Sequence, residues 1–230
     1  MHEKMLWENP SIQYKFHDHI VEYDMKAASV STCEYFQLLD NDTITRLKLL
    51  PKKKRVIEMG LLQKDKAFSE KLLSGIREIR KKFLKLNSLE ESDILSLHSD
   101  ACILSTNRKI ITDIDGVEFR KKGEWSAFIR YQNIEMFYHD GELVYKNIPQ
   151  QLLNQHTLTI HEYLCCIFQM IEDYDTSIFK YISKFQSQYL KDKLSEAYYV
   201  PFGRYGDYKM ENLKLFSYIA NIILEETKGW

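Results

Sequence analysis

The chain is poor in the residues that punctuate or cross-link a fold. Its 230 residues include only 8 Gly and 4 Pro, too few for a low-complexity linker between domains. The four cysteines, Cys33, Cys102, Cys165 and Cys166, lack zinc-type spacing, and the adjacent pair reads as helix core. That usage points to a reduced, cytoplasmic compartment. No run of 18 uncharged apolar residues exists, so no membrane span or membrane partner is expected. The N-terminus carries no apolar run of secretory length. A phosphate-cradling Gly-rich loop, a nucleophile elbow and a Cys/His nucleophile signature are also missing. What is present is globular: 44% hydrophobic and 28% charged residues, with 15 Tyr and 12 Phe. Such a length supports one sizeable core, or one domain with an appended helical lobe.

Net charge is −1, but the charge is unevenly placed. Residues 46–86 hold fourteen Lys/Arg against four acids, a block of +10, between acidic segments on either side. Within it, residues 66–86 carry the clearest helical pattern, with Phe68, Leu72, Ile76, Ile79, Phe83 and Leu86 as the buried stripe. Thr43 to Leu50 reads as a short helix capped by Asp42 and broken at Pro51, followed by a charged turn over Lys52 to Arg55. Residues 56–62 are ambiguous.

Strand patterns dominate next: 94–104 as a hairpin, then 109–114, 117–121, 125–131, 134–139 and 143–148. Turn signals stand at Asp115-Gly116, Lys122-Gly123 and Asp140-Gly141. From residue 150 the pattern is helical, over roughly 150–173, 177–198 and 208–227. The fold expected is therefore α+β: an antiparallel sheet covered by helices on one face, with a C-terminal helical lobe. The domains expected are 1–149, including a basic helical insertion at about 43–87, and 150–230.

Two aspartates organise the functional reading. Asp24 ends the run Ile20-Val21-Glu22-Tyr23-Asp24, and Asp100 follows Leu95-Ser96-Leu97-His98-Ser99. Period 2 places Glu22 and Asp24 on one face of the first strand, and Ser96, His98 and Asp100 on one face of the second. If the strands are neighbours, the two carboxylates meet, and Mg²⁺ between them and substrate phosphate would relieve their repulsion. Plainer readings stand beside this one. Asp24 can cap the following helix, Asp100 can be a hairpin turn residue, and the basic helix can be a solvated face. His98 reads as structural. Tyr198, Tyr199, Phe202, Tyr205 and Tyr208 read either as a base-stacking platform or as packing under a loop.

The order strand–Asp–helix, basic helix, then hydrophobic–His–Ser–Asp–Ala hairpin resembles the palm of template-dependent DNA polymerases. Val21-Glu22-Tyr23-Asp24-Met25-Lys26-Ala27-Ala28-Ser29 looks like the first palm motif, and Leu97-His98-Ser99-Asp100-Ala101-Cys102 like the third. The hydrophobic flanks match family B and His98 family A. Lys121-Lys122-Gly123-Glu124-Trp125 is similar to the lysine-aromatic strand pair that follows the third motif in family B. The chain also resembles small bacteriophage proteins of unassigned role.

The resemblance implies a palm-like sheet with Asp24 and Asp100 as catalytic metal ligands for Mg²⁺. It implies Arg77, Arg80, Lys81, Lys82, Lys85 and Lys122 as phosphate or nucleic-acid contacts. The activity expected is nucleotide or nucleic-acid handling, up to Mg²⁺-dependent nucleotidyl transfer on DNA or RNA, in the host cytoplasm for a phage-encoded protein. The departures are a span of only 76 residues between the aspartates, and Ala28 and Ser29 where a bulky aromatic is usual. His98 also stands where a further acid belongs. They point to the alternative: an inactive palm-derived protein that binds replication or transcription machinery or a host factor.

Overall fold

A computed structural model describes residues 6–147, 157–194 and 208–229. The chain is α+β with two antiparallel sheets. It divides into two compact units, Met1–Ile12 with His19–Glu124, and Gln13–Asp18 with Trp125–Trp230. Sequence pattern alone suggests a division after residue 149. The strands after Trp125 instead pair among themselves, giving the C-terminal helices a sheet of their own.

In the first unit six strands lie in the order β1 (Leu6–Glu8), β4 (Ile94–His98), β5 (Ala101–Ser105), β3 (Ile20–Met25), β7 (Val117–Trp125) and β6 (Asp113–Ile114). Four helices follow β3: α1 (Ala28–Tyr35), α2 (Asn41–Leu49), α3 (Lys52–Leu62) and α4 (Lys66–Leu86). They bury one face of the sheet, where Val21, Met25, Leu97, Cys102, Leu104 and Phe119 meet Val30, Leu47, Leu72, Ile76, Ile79 and Phe83. Helix α4 starts where Asp65 accepts the Phe68 N–H at 3.0 Å. Its buried stripe takes in Leu84 and Arg80, while Leu86 is exposed. Gly75 sets the approach of α4 to α1: a Cβ there would lie 2.5 Å from Thr32 Cγ2.

Local chemistry corrects several boundaries. Helix α2 is capped by Asp40, whose Oδ1 accepts the Thr43 N–H at 2.8 Å, and Asp42 falls inside the first turn. Lys52 to Arg55 form the first turn of α3 rather than a loop, because Pro51 ends one helix and sits at the N-cap of the next. Gly123 lies within β7, which runs straight through the turn expected there. Asp115-Gly116 (φ 51° and 89°) and Asp140-Gly141 (φ 47° and 82°) are tight hairpin turns as expected.

The second unit has the strand order β10 (Glu142–Lys146), β9 (Ile134–His139), β8 (Ala127–Tyr131) and β2 (Tyr14–Lys15). With it go α5 (Thr157–Glu172), α6 (Ile178–Leu190) and α7 (Tyr208–Glu226). Its core is aromatic: Tyr163 and Phe185 stack at 4.1 Å, and Phe216 meets Phe185 edge-on at 5.1 Å. The stripe Tyr163, Leu164, Ile167, Phe168 and Ile171 faces inward, which turns Cys166 to the surface and leaves Cys165 half-buried rather than in the core. Away from that stripe Arg130 pairs with Glu135 at 2.8 Å, both almost wholly buried. Residues 198, 199, 202 and 205 of the expected aromatic platform, and His156, lie outside the described residues.

Candidate functional site

Strand β3 lies between β5 and β7, antiparallel to β5 with Asp24 opposite Ala101. Asp100, the turn residue just before Ala101, therefore abuts Asp24. The Met25 N–H donates to the Asp100 carbonyl at 3.0 Å, and the charge of Asp24 is felt at the Asp100 carboxyl. The turn itself is held from below. Ser99 has a φ of 51°, and buried Arg80 donates from Nη1 to its carbonyl at 2.8 Å.

Burial pushes the Asp100 carboxyl above its ordinary value, and the charge of Asp24 pushes the same way. Lys122 opposes the rise with its positive charge.

The side of β3 that carries Asp24 faces a ladder of opposite charges on β7. Lys26 pairs with Glu118 at 2.7 Å, and Asp24 with Arg120 at 3.2 Å. Lys122 lies 3.6 Å from Glu22 and 3.8 Å from Asp24, and His19, just before β3, meets Glu124 at 2.6 Å. The alternation of a strand produces the pattern: Glu118, Arg120, Lys122 and Glu124 are two apart and share a face. Asp24 thus carries protein cations on one side and Asp100 on the other.

The pair opens into a cleft of about 580 Å³ where β3 turns into α1. That volume falls in the range of small-molecule sites. Asp24, Asp100 and Arg120 line it together with Ala27, Ala28 and Ser29 from the start of α1. Ala27 precedes α1 with a φ of 50°, and no side chain caps that helix, so Asp24 is not its cap. Another wall comes from α3, whose Lys52, Arg55, Val56, Met59 and Gly60 fall on one helical face, with Gln63 at its C-cap. A Cβ on Gly60 would meet nothing within 4 Å.

The sequence-derived phosphate contacts separate into two groups. Lys122 and Arg80 are at the aspartate pair, the first as an ion-pair partner and the second buried beneath the turn. Arg77, Lys81, Lys82 and Lys85 do not line the cleft. Arg77 and Lys81 border a small depression on α4 with Ser74 and Glu78. Lys82 bonds Tyr35 and lies 3.6 Å from Asp115, while Lys85 is exposed. His98 bonds Ser96 Oγ at 2.9 Å, in keeping with a structural role.

Lys52, Arg55 and Arg120 are the cleft residues that sequence reasoning passed over. Reading residues 52–63 as one helix would have put Lys52, Arg55, Met59 and Gln63 on a single stripe. The alternation of 118, 120 and 122 was equally available.

Among the described residues no group of three or more His, Cys, Asp or Glu is poised for a metal ion. Mg²⁺ can use as few as one or two protein carboxylates and fill its shell with water and substrate phosphate, and here Asp24 of the pair is also held by Arg120. No helix among the described residues is long and apolar enough to cross a membrane. Over residues 1–230 the chain matches the family described as Bacteriophage PBS1 gene 130 protein, and it belongs to that family. No curated protein matches it.

Proposed function

We propose that this bacteriophage-family protein handles a nucleotide or nucleic-acid substrate through Mg²⁺ held by Asp24 and Asp100, the reaction being nucleotidyl transfer. The observation that carries the reading is the convergence of the two carboxylates on a cleft whose other wall presents Lys52 and Arg55. When bound, the ion would stabilise negative charge on reacting phosphate oxygens. The chain contributes the rest. Asp24 and Asp100 offer oxygens from a strand end and a hairpin turn, Lys52 and Arg55 supply charge for phosphate, and Ala27 and Ala28 keep that wall small.

The test is extension of a primed template, or transfer of a nucleotide, with Mg²⁺. Wild type should act, and Asp24→Ala and Asp100→Ala should not. Activity that survives both substitutions overturns the assignment.

A second reading is favoured by one observation, the hold of Arg120 and Lys122 on Asp24. Here protein cations permanently replace the metal, and the chain is a non-catalytic binding protein for replication or transcription machinery or a host factor. It predicts no thermal stabilisation by Mg²⁺. A metal-induced rise in Tm that disappears in Asp100→Ala excludes it.

A further inference from the structure

The cation that sits on Asp24 is also a wall of the cleft. Arg120 reaches Asp24 Oδ2 with Nη2 at 3.2 Å, its side chain about half exposed, and it lines the cavity with Lys52 and Arg55. Lys122 is at the longer distance of 3.8 Å, is shared with Glu22, and does not line the cleft. The same Asp24 oxygen therefore faces the Arg120 guanidinium closely and the Lys122 ammonium at longer range, and a divalent ion would have to displace chiefly the first. Only Arg120 among the ladder cations on β7 is positioned to respond to what fills the cleft.

We propose that Arg120 is an exchangeable counter-cation that couples metal binding to substrate binding. With the cleft free of phosphate, Arg120 neutralises Asp24 and competes with the divalent ion. A nucleotide phosphate entering beside Lys52 and Arg55 gives the guanidinium a better, bidentate partner. Arg120 then turns to the phosphate, and Asp24 Oδ2, left with only the longer Lys122 contact, opens to the ion. Metal and nucleotide favour each other's binding as a result, and linkage makes that coupling reciprocal. The inference rests on the metal-site reading above, yet it assigns a separate role to a residue that is not a metal ligand.

The test is Mn²⁺ binding followed by electron paramagnetic resonance on the full chain, without and with adenosine monophosphate, which itself binds Mn²⁺ only weakly. Wild type should bind Mn²⁺ weakly alone and more tightly with the nucleotide. Arg120→Gln and Arg120→Ala should bind Mn²⁺ about tenfold more tightly alone, within the usual size of such couplings, and lose the response to nucleotide. Using Gln, which keeps a donor without the charge, guards against a variant that fails to fold. Lys122→Gln should keep the nucleotide response. Equal affinity of wild type and both Arg120 variants, with binding abolished in Asp24→Asn, overturns the coupling and leaves the metal site standing. Absence of Mn²⁺ binding in every form overturns both.

Discussion

Asp24 and Asp100, 76 positions apart in sequence, stand side by side, Asp24 opposite Ala101 and Asp100 the residue before it. The contact follows from register: with Asp24 opposite Ala101, the residue that turns the hairpin has Asp24 as its neighbour. Its consequence is a half-buried carboxyl whose pKa is raised, and that rise makes stability depend on pH.

Asp100 has its pKa raised by burial and by Asp24. Below its unfolded value, about 4, the carboxyl is protonated in both states and contributes nothing to the pH dependence. As pH climbs from there through the higher folded value, the unfolded chain releases the proton first, so stability falls. Asp100→Asn removes that penalty while keeping a donor toward Asp24. In chelator-treated protein the variant should have a higher Tm than wild type at pH 7.5, and the difference should shrink toward zero at pH 4. A variant less stable at pH 7.5 would show that the pair is not strained.

The two glycines of α3 and α4 should respond oppositely to alanine. Gly60 faces open space, so Gly60→Ala should stabilise by about 0.5–1 kcal/mol through helix propensity. At Gly75 the new methyl meets Thr32 Cγ2 and the Phe36 ring, so Gly75→Ala should destabilise by about 1–3 kcal/mol through overpacking. Urea denaturation of both variants measures the contrast.

Within the second unit the Arg130–Glu135 ion pair is a separate test of the core. Arg130 is 3% and Glu135 0% exposed, and Arg130 also lies 5.0 Å from the Phe128 ring centre. Removing the acid alone leaves a buried guanidinium without its carboxylate. Glu135→Ala should therefore cost about 3–5 kcal/mol, read as a lower urea midpoint. A loss under about 1 kcal/mol would place the pair with ordinary surface bridges.

Nucleotide binding should identify the basic helix that serves the site. Charged hydrogen bonds contribute about 1.5–3 kcal/mol each, so Lys52→Gln with Arg55→Gln should weaken nucleoside triphosphate binding roughly tenfold or more. Arg77→Gln with Lys81→Gln should leave it nearly unchanged, because neither residue lines the cleft. Isothermal titration of the two double variants decides between α3 and α4.

That contrast also marks how far the sequence could be read. The polar faces that carry Asp24 and Asp100 were legible because strand alternation and the hairpin pattern around Ser99-Asp100 are local signals, whereas their meeting rests on the β3–β5 pairing. Helix α4 was legible for the same reason, its stripe repeating over 21 residues. Helix α3 was not. Four consecutive cations at its N-terminus oppose the helix dipole, and only Met59 is buried along it. Sequence periodicity therefore had almost no buried stripe to report. The inward Arg80 was hidden too, since nothing local tells a solvated arginine from one that ties down a distant turn. The split of the strands into two sheets depends on pairings set by tertiary contact, which period 2 does not encode.

The path of the chain has a consequence for how the protein is made. Strand β2, only Tyr14 and Lys15, belongs to the sheet completed by β8, with Tyr14 opposite Ile129 and Lys15 opposite Phe128. During synthesis this early segment must wait for more than a hundred later residues before its partner leaves the ribosome. The first unit, by contrast, has all its strands once Glu124 has emerged. Domains tend to fold as units in order of emergence. The aspartate site would then form first, while the short stretch at residues 13–18 stays unpaired until the second sheet exists to receive it.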